Sequence, residues 1–95
     1  MAIGNLKSVV QDVAVAGTAE AIVAADTYIT SATIRAHTSN GGNVFIGDST
    51  VDNTASPLTP GDSISLMNHY EFNLADIYVD SAVNGEGVAV WYFMK

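Results

Sequence analysis

The 95-residue chain has no cysteine, two prolines and three cationic residues, and each shortage excludes a class of protein. Without cysteine, neither disulfides nor thiolate metal sites can stabilise the fold, so packing or assembly must do so. Lys7, Arg35 and Lys95 stand against ten carboxylates. The resulting net charge of −7 argues against phosphate binding, which needs clustered cations, so we expect neither nucleic acid nor an anionic membrane as a partner.

Long apolar runs and targeting signals are also missing. No stretch approaches the ~20 apolar residues of a membrane-spanning helix, which predicts a soluble protein. Residues 1–7 lack a basic segment followed by an apolar core, so we expect no secretory signal and synthesis in a cytoplasm. Charged residues make up only 14% of the chain, against ~25% in typical soluble domains, and hydrophobic residues make up 48%. Polar uncharged residues, or a covering by another chain, must then account for much of the surface.

What the chain does contain is a series of short β-type segments. Residues 28–38 alternate between two faces, as do Ile64 and Leu66 with the serines beside them, and residues 77–80 follow the same period of two. Residues 9–15 are rich in valine, and the apolar run 44–46 stops at Gly47. Residues 19–24 could form a helical turn or two, but so short a run favours a strand.

Turn residues separate these segments at intervals of about ten residues, which is typical of antiparallel sandwiches and barrels. The sequence therefore predicts one all-β domain over residues 1–95. It would be an antiparallel β-sandwich, jelly-roll-like, or a small barrel, with about seven short strands. The segment Ser39-Asn40-Gly41-Gly42-Asn43 predicts a hairpin that pairs residues 28–38 with residues 43–47. A second Asn-Gly pair, within residues 82–87, joins residues 77–80 to the last strand, residues 88–94.

Two groups of acidic residues raise the question of a metal site. Oxygen-rich loops can hold calcium, but neither group has the alternate-residue spacing of a calcium loop, so we expect solvated carboxylates and turn caps, with no metal and no cofactor. The two groups are Asp48 with Asp52, and Asp76 with Asp80 and Glu86.

The histidines could serve a hydrolase only beside a nucleophile. His37 and His69 could act as bases for Ser63 or Ser65, but each histidine is isolated in the sequence. No nucleophile elbow, phosphate-binding glycine loop or zinc-binding helix is present. We therefore expect no catalytic residue and no enzymatic activity.

Two aromatic clusters and one turn are candidates for contacts with another protein. Trp91, Tyr92 and Phe93 cannot all point inward from one strand, because adjacent side chains alternate, so Trp91 and Phe93 are expected to share one face. That face would pack under a loop or, as we expect, meet another subunit. Tyr70 and Phe72 either form an exposed contact patch or cap the core. The third candidate is a turn stiffened by two prolines, which comprises Pro57, Leu58, Pro60 and the glycine after it.

Three segments carry a resemblance to a known group of proteins. They read GNVFIGDSTV (residues 42–51), SPLTPGDSISL (56–66) and DIYVDS followed by NGEGVAVWYF (76–93). The chain over residues 27–93 resembles small structural proteins of tailed-bacteriophage virions, which carry similar GNVYIGD, PLxPGxS and DIYVD segments. An acidic, cysteine-free β chain of this length looks most like a capsid decoration, or cement, protein.

The resemblance implies a role and a location. A decoration protein binds the major capsid protein on the outside of the expanded head and stabilises the head, commonly as a trimer at local threefold positions. Residues 1–7 could then be a flexible or capsid-bound arm. Related β modules also occur as tail or head-completion components and as receptor- or glycan-binding tips, so these remain the alternatives.

Overall fold

The computed structural model describes residues 6–95, and the strands among them form two antiparallel four-stranded sheets. No helix among these residues is long and apolar enough to cross a bilayer. The elements in chain order are β1 (Leu6–Asp12), β2 (Glu20–Ala21), β3 (Tyr28–Ala36), β4 (Val44–Gly47), β5 (Pro57–Leu58), β6 (Ser63–Asn73), the 3₁₀ turn η1 (Leu74–Asp76), β7 (Tyr78–Ser81) and β8 (Gly87–Met94).

Sheet A has the strand order β1-β8-β3-β6, and sheet B has the order β2-β7-β4-β5. The pairs are nested: β1 with β8, β2 with β7, β3 with β6, and β4 with β5. This is a long hairpin rolled so that successive pairs fall alternately in the two sheets, which is the jelly-roll arrangement. The all-β sandwich prediction is confirmed. The structure shows two separate sheets, and it does not show a closed barrel.

The core lies between the sheets and follows from the alternation along each strand. In sheet A, Ile34 is paired with Ile64 on one side and Val90 on the other, and all three side chains point inward. Sheet B contributes Val44 and Val79 from its central strands. Burial of such aliphatic side chains stabilises a fold by ~1.5–3 kcal/mol each, so these strands supply the driving force for folding.

The strand boundaries differ from the prediction in detail. Eight strands are present among residues 6–95, rather than about seven. The segment 19–24 forms a strand of only two residues, Glu20–Ala21. Of the predicted arm, residues 1–5 lie outside the described residues, whereas Leu6 and Lys7 are already part of β1 and are paired with β8.

The predicted hairpin between residues 28–38 and 43–47 is wrong. The segment between them carries the chain from β3 in sheet A to β4 in sheet B, so these strands do not pair. A tight Asn-Gly hairpin turn needs positive φ, yet positive φ occurs among residues 6–95 only at Gly17, Gly61 and Gly85. Tertiary contacts hold the segment instead: Asn40 is buried, and its side-chain amide donates to the carbonyl oxygen of Gly87 at 2.9 Å.

Glu86 also holds the connection between β3 and β4 in place. Its carboxylate accepts hydrogen bonds from the backbone N–H groups of Gly41 at 2.5 Å and Gly42 at 3.0 Å. Its backbone oxygen accepts from the N–H of Val13, just beyond β1, at 2.8 Å. One residue of the β7–β8 connection therefore joins the residue after β1 to the β3–β4 connection.

The turn before β6 forms as the sequence indicated. The N–H of Asp62 donates to the oxygen of Thr59 at 2.9 Å, and Gly61 between them has φ of +86°. Proline at the second position and a glycine of positive φ at the third are the requirements of a type II turn. Pro60 is exposed at the tip of this turn.

Replacing Gly87 with alanine should strongly destabilise the fold. The added Cβ would overlap the backbone oxygen of Gln11 and lie 2.6 Å from the Cα of Asp12, so β1 and β8 would have to separate. We expect a loss of more than ~2 kcal/mol in the free energy of unfolding, measured by urea denaturation. Gly41→Ala is the matched control, because its Cβ would meet only Glu86 Oε2 at 3.4 Å. Equal losses in the two variants would contradict this close approach.

Glu86→Gln should cost ~1–3 kcal/mol in the free energy of unfolding, because the amide can accept at one atom where the carboxylate accepts at two. Glu71→Gln is the control: it removes an equal charge from an exposed ion pair, Glu71 Oε1 to Lys95 Nζ at 2.9 Å, which contributes at most ~1 kcal/mol. Urea denaturation of both variants at one pH makes the comparison. A Glu86→Gln loss no larger than the control would show that the carboxylate is dispensable.

Candidate functional site

The outward side of sheet A is a surface that the core does not use. We call its twelve side chains the outer face. The pairing of the strands arranges them in three rows across β1, β8, β3 and β6. The rows are Leu6, Phe93, Ser31 and Met67; then Ser8, Trp91, Thr33 and Ser65; then Val10, Ala89, Arg35 and Ser63.

Large apolar side chains on the outer face are exposed to solvent. Trp91 is 41% exposed, Phe93 48% and Met67 85%, and Leu6 and Val10 are each more than half exposed. Single exposed apolar residues are ordinary, whereas a contiguous apolar patch on a soluble domain marks an interaction site. The chemistry available here is apolar contact with another surface.

The side chains of β8 alternate between the core and the outer face, as its sequence predicted. Val88 and Val90 are fully buried, and Tyr92 and Met94 are partly buried against the core. Trp91 and Phe93 point the other way, onto the outer face. Among residues 6–95, no loop buries this side of the strand, so the apolar run from Val88 to Met94 is half core and half exposed surface.

The other candidate residues lie in three separate places. Leu58 is only 8% exposed and belongs to the core, so its side chain is not available for an outside contact. Pro57, beside it in β5, is exposed at the edge of sheet B, and Pro60 is exposed in the turn before β6. Phe72 packs partly against the core, as the capping interpretation expected, whereas Tyr70 is 76% exposed.

Tyr70 lies in an enlarged bulge of β6. Ile29 is paired with Phe72 and Ser31 with Met67, so residues 68–71 of β6 stand opposite Thr30 alone. A bulge of this kind bends an edge strand and removes its backbone from regular pairing. The rings of His69 and Tyr70 meet edge to face with centroids 5.3 Å apart, on exposed side chains.

Three of the five large apolar residues on the outer face were not among the contact residues predicted from the sequence. Leu6 and Val10 alternate with Ser8 along β1, and Met67 continues the outward series Ser63 and Ser65 in β6. The period of two carried this information for each strand. The order of the strands did not follow from it, and only that order brings Leu6, Phe93 and Met67 into one row.

Asp80 is the buried member of the two acidic groups and is held by backbone N–H groups. Among residues 6–95, no group of three or more His, Cys, Asp or Glu side chains is placed to hold a metal ion. Asp80 is 1% exposed, and its Oδ1 accepts from the N–H groups of Gly17 and Ser81 at 2.9 and 2.8 Å. It lines a cavity of about 330 Å³ together with Asp52 and Asn53.

Among residues 6–95, neither histidine is hydrogen-bonded to Ser63 or Ser65. His37 Nε2 is 3.1 Å from Asp12 Oδ1, where it links the end of β3 to the end of β1. Ser65 Oγ lies 3.4 Å from Thr33 Oγ1, on the outer face. The hydrolase interpretation required a pocket joining a histidine, a serine and a carboxylate, and these contacts do not assemble one.

The chain matches no protein-family model, no curated protein and no solved structure.

A pH titration should report the two turns in the β4–β5 connection. Thr50 donates to Asp48 Oδ1 from its hydroxyl at 2.6 Å and its N–H at 2.9 Å, and Thr54 does the same to Asp52. These bonds stabilise the ionised carboxylates and lower both pKa values. By NMR titration, Thr50→Val should raise the pKa of Asp48 and leave that of Asp52 unchanged.

The direction of these pKa shifts determines how the stability of the fold changes with pH. A carboxyl whose pKa is lower in the folded protein than in the unfolded chain, at ~3.9, contributes stability above that pH. The contribution is lost as the pH falls through the folded-state pKa. Thr50→Val should therefore unfold with a weaker dependence on pH below ~4. A pKa of Asp48 that Thr50→Val leaves unchanged would contradict the role given to this hydroxyl.

Proposed function

We propose that the chain is a non-enzymatic structural protein of a tailed-bacteriophage virion, a capsid decoration protein that binds the outside of the head and stabilises it. Its partners would be the major capsid protein and further copies of itself. Its location would be the capsid surface, after synthesis in the host cytoplasm.

The observation that carries the proposal is the outer face. Five large apolar side chains are exposed on one side of a four-stranded sheet whose other side is fully used by the core. A small acidic domain that keeps such a surface gains stability when another protein covers it, because binding only the folded state shifts the folding equilibrium. Assembly explains the surplus of apolar residues, and catalysis does not.

The phage assignment rests on the resemblance of three sequence segments. In the structure these segments comprise β4 with the start of the connection after it, β5 with the first four residues of β6, and β7 with most of β8. The jelly-roll arrangement is compatible with the assignment, since it occurs in viral capsid domains, but it also occurs in lectins. A fold alone does not determine a function, so the assignment needs a direct binding experiment.

Two surfaces could take part in assembly, each in contact with a different partner. The outer face is one side of a four-stranded sheet, which suits contact with another β-sheet. The β6 bulge with Tyr70 and the turn with Pro60 project from irregular backbone, which suits contact with a shell of different shape. In this proposal the projecting elements contact the major capsid protein.

Purified chain should bind undecorated, expanded phage heads saturably and raise their resistance to heat. Tyr70→Ser should weaken that binding by ~10-fold or more, the scale of truncating a central interface aromatic. Val15→Ser removes an exposed apolar residue from the β1–β2 connection and should change nothing. Sedimentation of heads with bound chain measures the affinity. Failure of the unaltered chain to bind any expanded head would end the proposal.

A glycan-binding tip of a tail is the second candidate. The edge-to-face pair of His69 and Tyr70 favours it, because an exposed aromatic ring beside polar side chains can stack on a sugar. Glycan-array binding that Tyr70→Ser abolishes, together with no binding to heads, would establish this alternative in place of decoration.

A further inference from the structure

We infer that a second copy of this chain covers the outer face, so that two sheets A pack face to face about a twofold axis parallel to their strands. The inference rests on the proposed structural role and names the occupant of this surface. It departs from the threefold assembly that the resemblance implies.

The outer face has a ridge and a groove side by side. Its ridge is formed by Trp91 and Phe93 of β8, and the neighbouring strand β3 presents Thr33 and Ser31 directly beside them. Small side chains next to large ones leave a furrow along β3 that is about as long as the ridge. Packed sheets interdigitate large and small residues in this way, at ~10 Å separation.

A twofold axis between β8 and β3 exchanges these two strands. It also exchanges the outer strands β1 and β6 and keeps each row opposite itself. Trp91 of one copy then faces Thr33 of the other, Phe93 faces Ser31, and Leu6 faces Met67. Every large residue of the ridge meets a small residue of the groove, and each such contact occurs twice because the axis is twofold.

Charge also favours a second copy at this place. Two chains of net charge −7 repel each other wherever their carboxylates meet. The four strands of sheet A contain only Asp12 and Glu71 as carboxylates, and Glu71 is paired with Lys95. The twelve residues of the outer face include no carboxylate and one cation, Arg35, which the axis places opposite Ala89. Like-charged copies can therefore approach here without repulsion between carboxylates.

The other sheet, within the part of the chain that the structure describes, has no comparable surface. On the outward side of sheet B, Phe45 is 6% exposed and is paired with the buried carboxylate Asp80, whose Oδ1 holds Gly17 of the β1–β2 connection. Loops thus cover the outward residues of the strands that are central in sheet B. Sheet A is the sheet on which a second copy has open access.

The test exchanges the ridge and the groove between two variants. Thr33→Trp fills the groove, and Trp91→Thr removes the ridge, so each variant should form its own dimer at least ~10-fold more weakly than the unaltered chain. A mixture should form the mixed dimer in preference to either homodimer, because the introduced tryptophan of one copy then faces the introduced threonine of the other. Native mass spectrometry with a mass tag on one variant measures all three species.

The controls and outcomes separate this inference from the proposed function. The unaltered chain, of 9.9 kDa, should be a dimer of twice that mass. Tyr70 lies in the β6 bulge and not on the outer face, so the Tyr70→Ser variant should dimerise as strongly as the unaltered chain. A monomer, a trimer, no preference for the mixed dimer, or an equal loss in Tyr70→Ser would each overturn the inference. Preference for the mixed dimer requires both variants to be folded, so unfolding cannot imitate it. A dimer that fails to bind heads would contradict decoration alone.

Discussion

Glu86 and Gly87 hold three connections together at one end of the sandwich, and the strand order depends on that contact. The Glu86 carboxylate binds the backbone of the β3–β4 connection, and its own backbone oxygen binds Val13 after β1. Gly87 has no side chain to keep Gln11 away, and its oxygen accepts from both His37 N–H and Asn40. These bonds are made between residues far apart in sequence, so they form only when the sheets are assembled.

The position of β8 in the middle of sheet A gives the outer face its character. This strand lies between β1 and β3, so its inward residues pack in the core and its outward residues lie near the middle of the outer face. Because β8 is apolar on both sides, one side packs in the core and the other forms an exposed ridge. In sheet B, by contrast, loops cover the outward residues Phe45 and Asp80. The exposure of Trp91 and Phe93 therefore distinguishes sheet A from sheet B.

Local patterns predicted the fold class and most strands, because the period of two reports burial directly. Residues 28–36 and 63–66 show it clearly, and the type II turn at Pro60 and Gly61 has a requirement that sequence reveals. The failures have one cause, which is contact between distant segments. Asn40-Gly41 is a strong hairpin signal in isolation, but burial of Asn40 and the carboxylate of Glu86 override it. Likewise Tyr70 belongs to a bulge that only the register against Thr30 defines, and Leu58 was placed in a contact loop although it packs in the core.

The central claim is that another protein surface covers the outer face when the chain functions. The single tryptophan of the sequence lies on that face, so its fluorescence reports the claim without any substitution. Emission should shift to shorter wavelength, and quenching by iodide should fall, as the chain is concentrated from dilute solution or added to expanded heads. Emission and quenching that stay those of a partly exposed tryptophan under both conditions would contradict the claim.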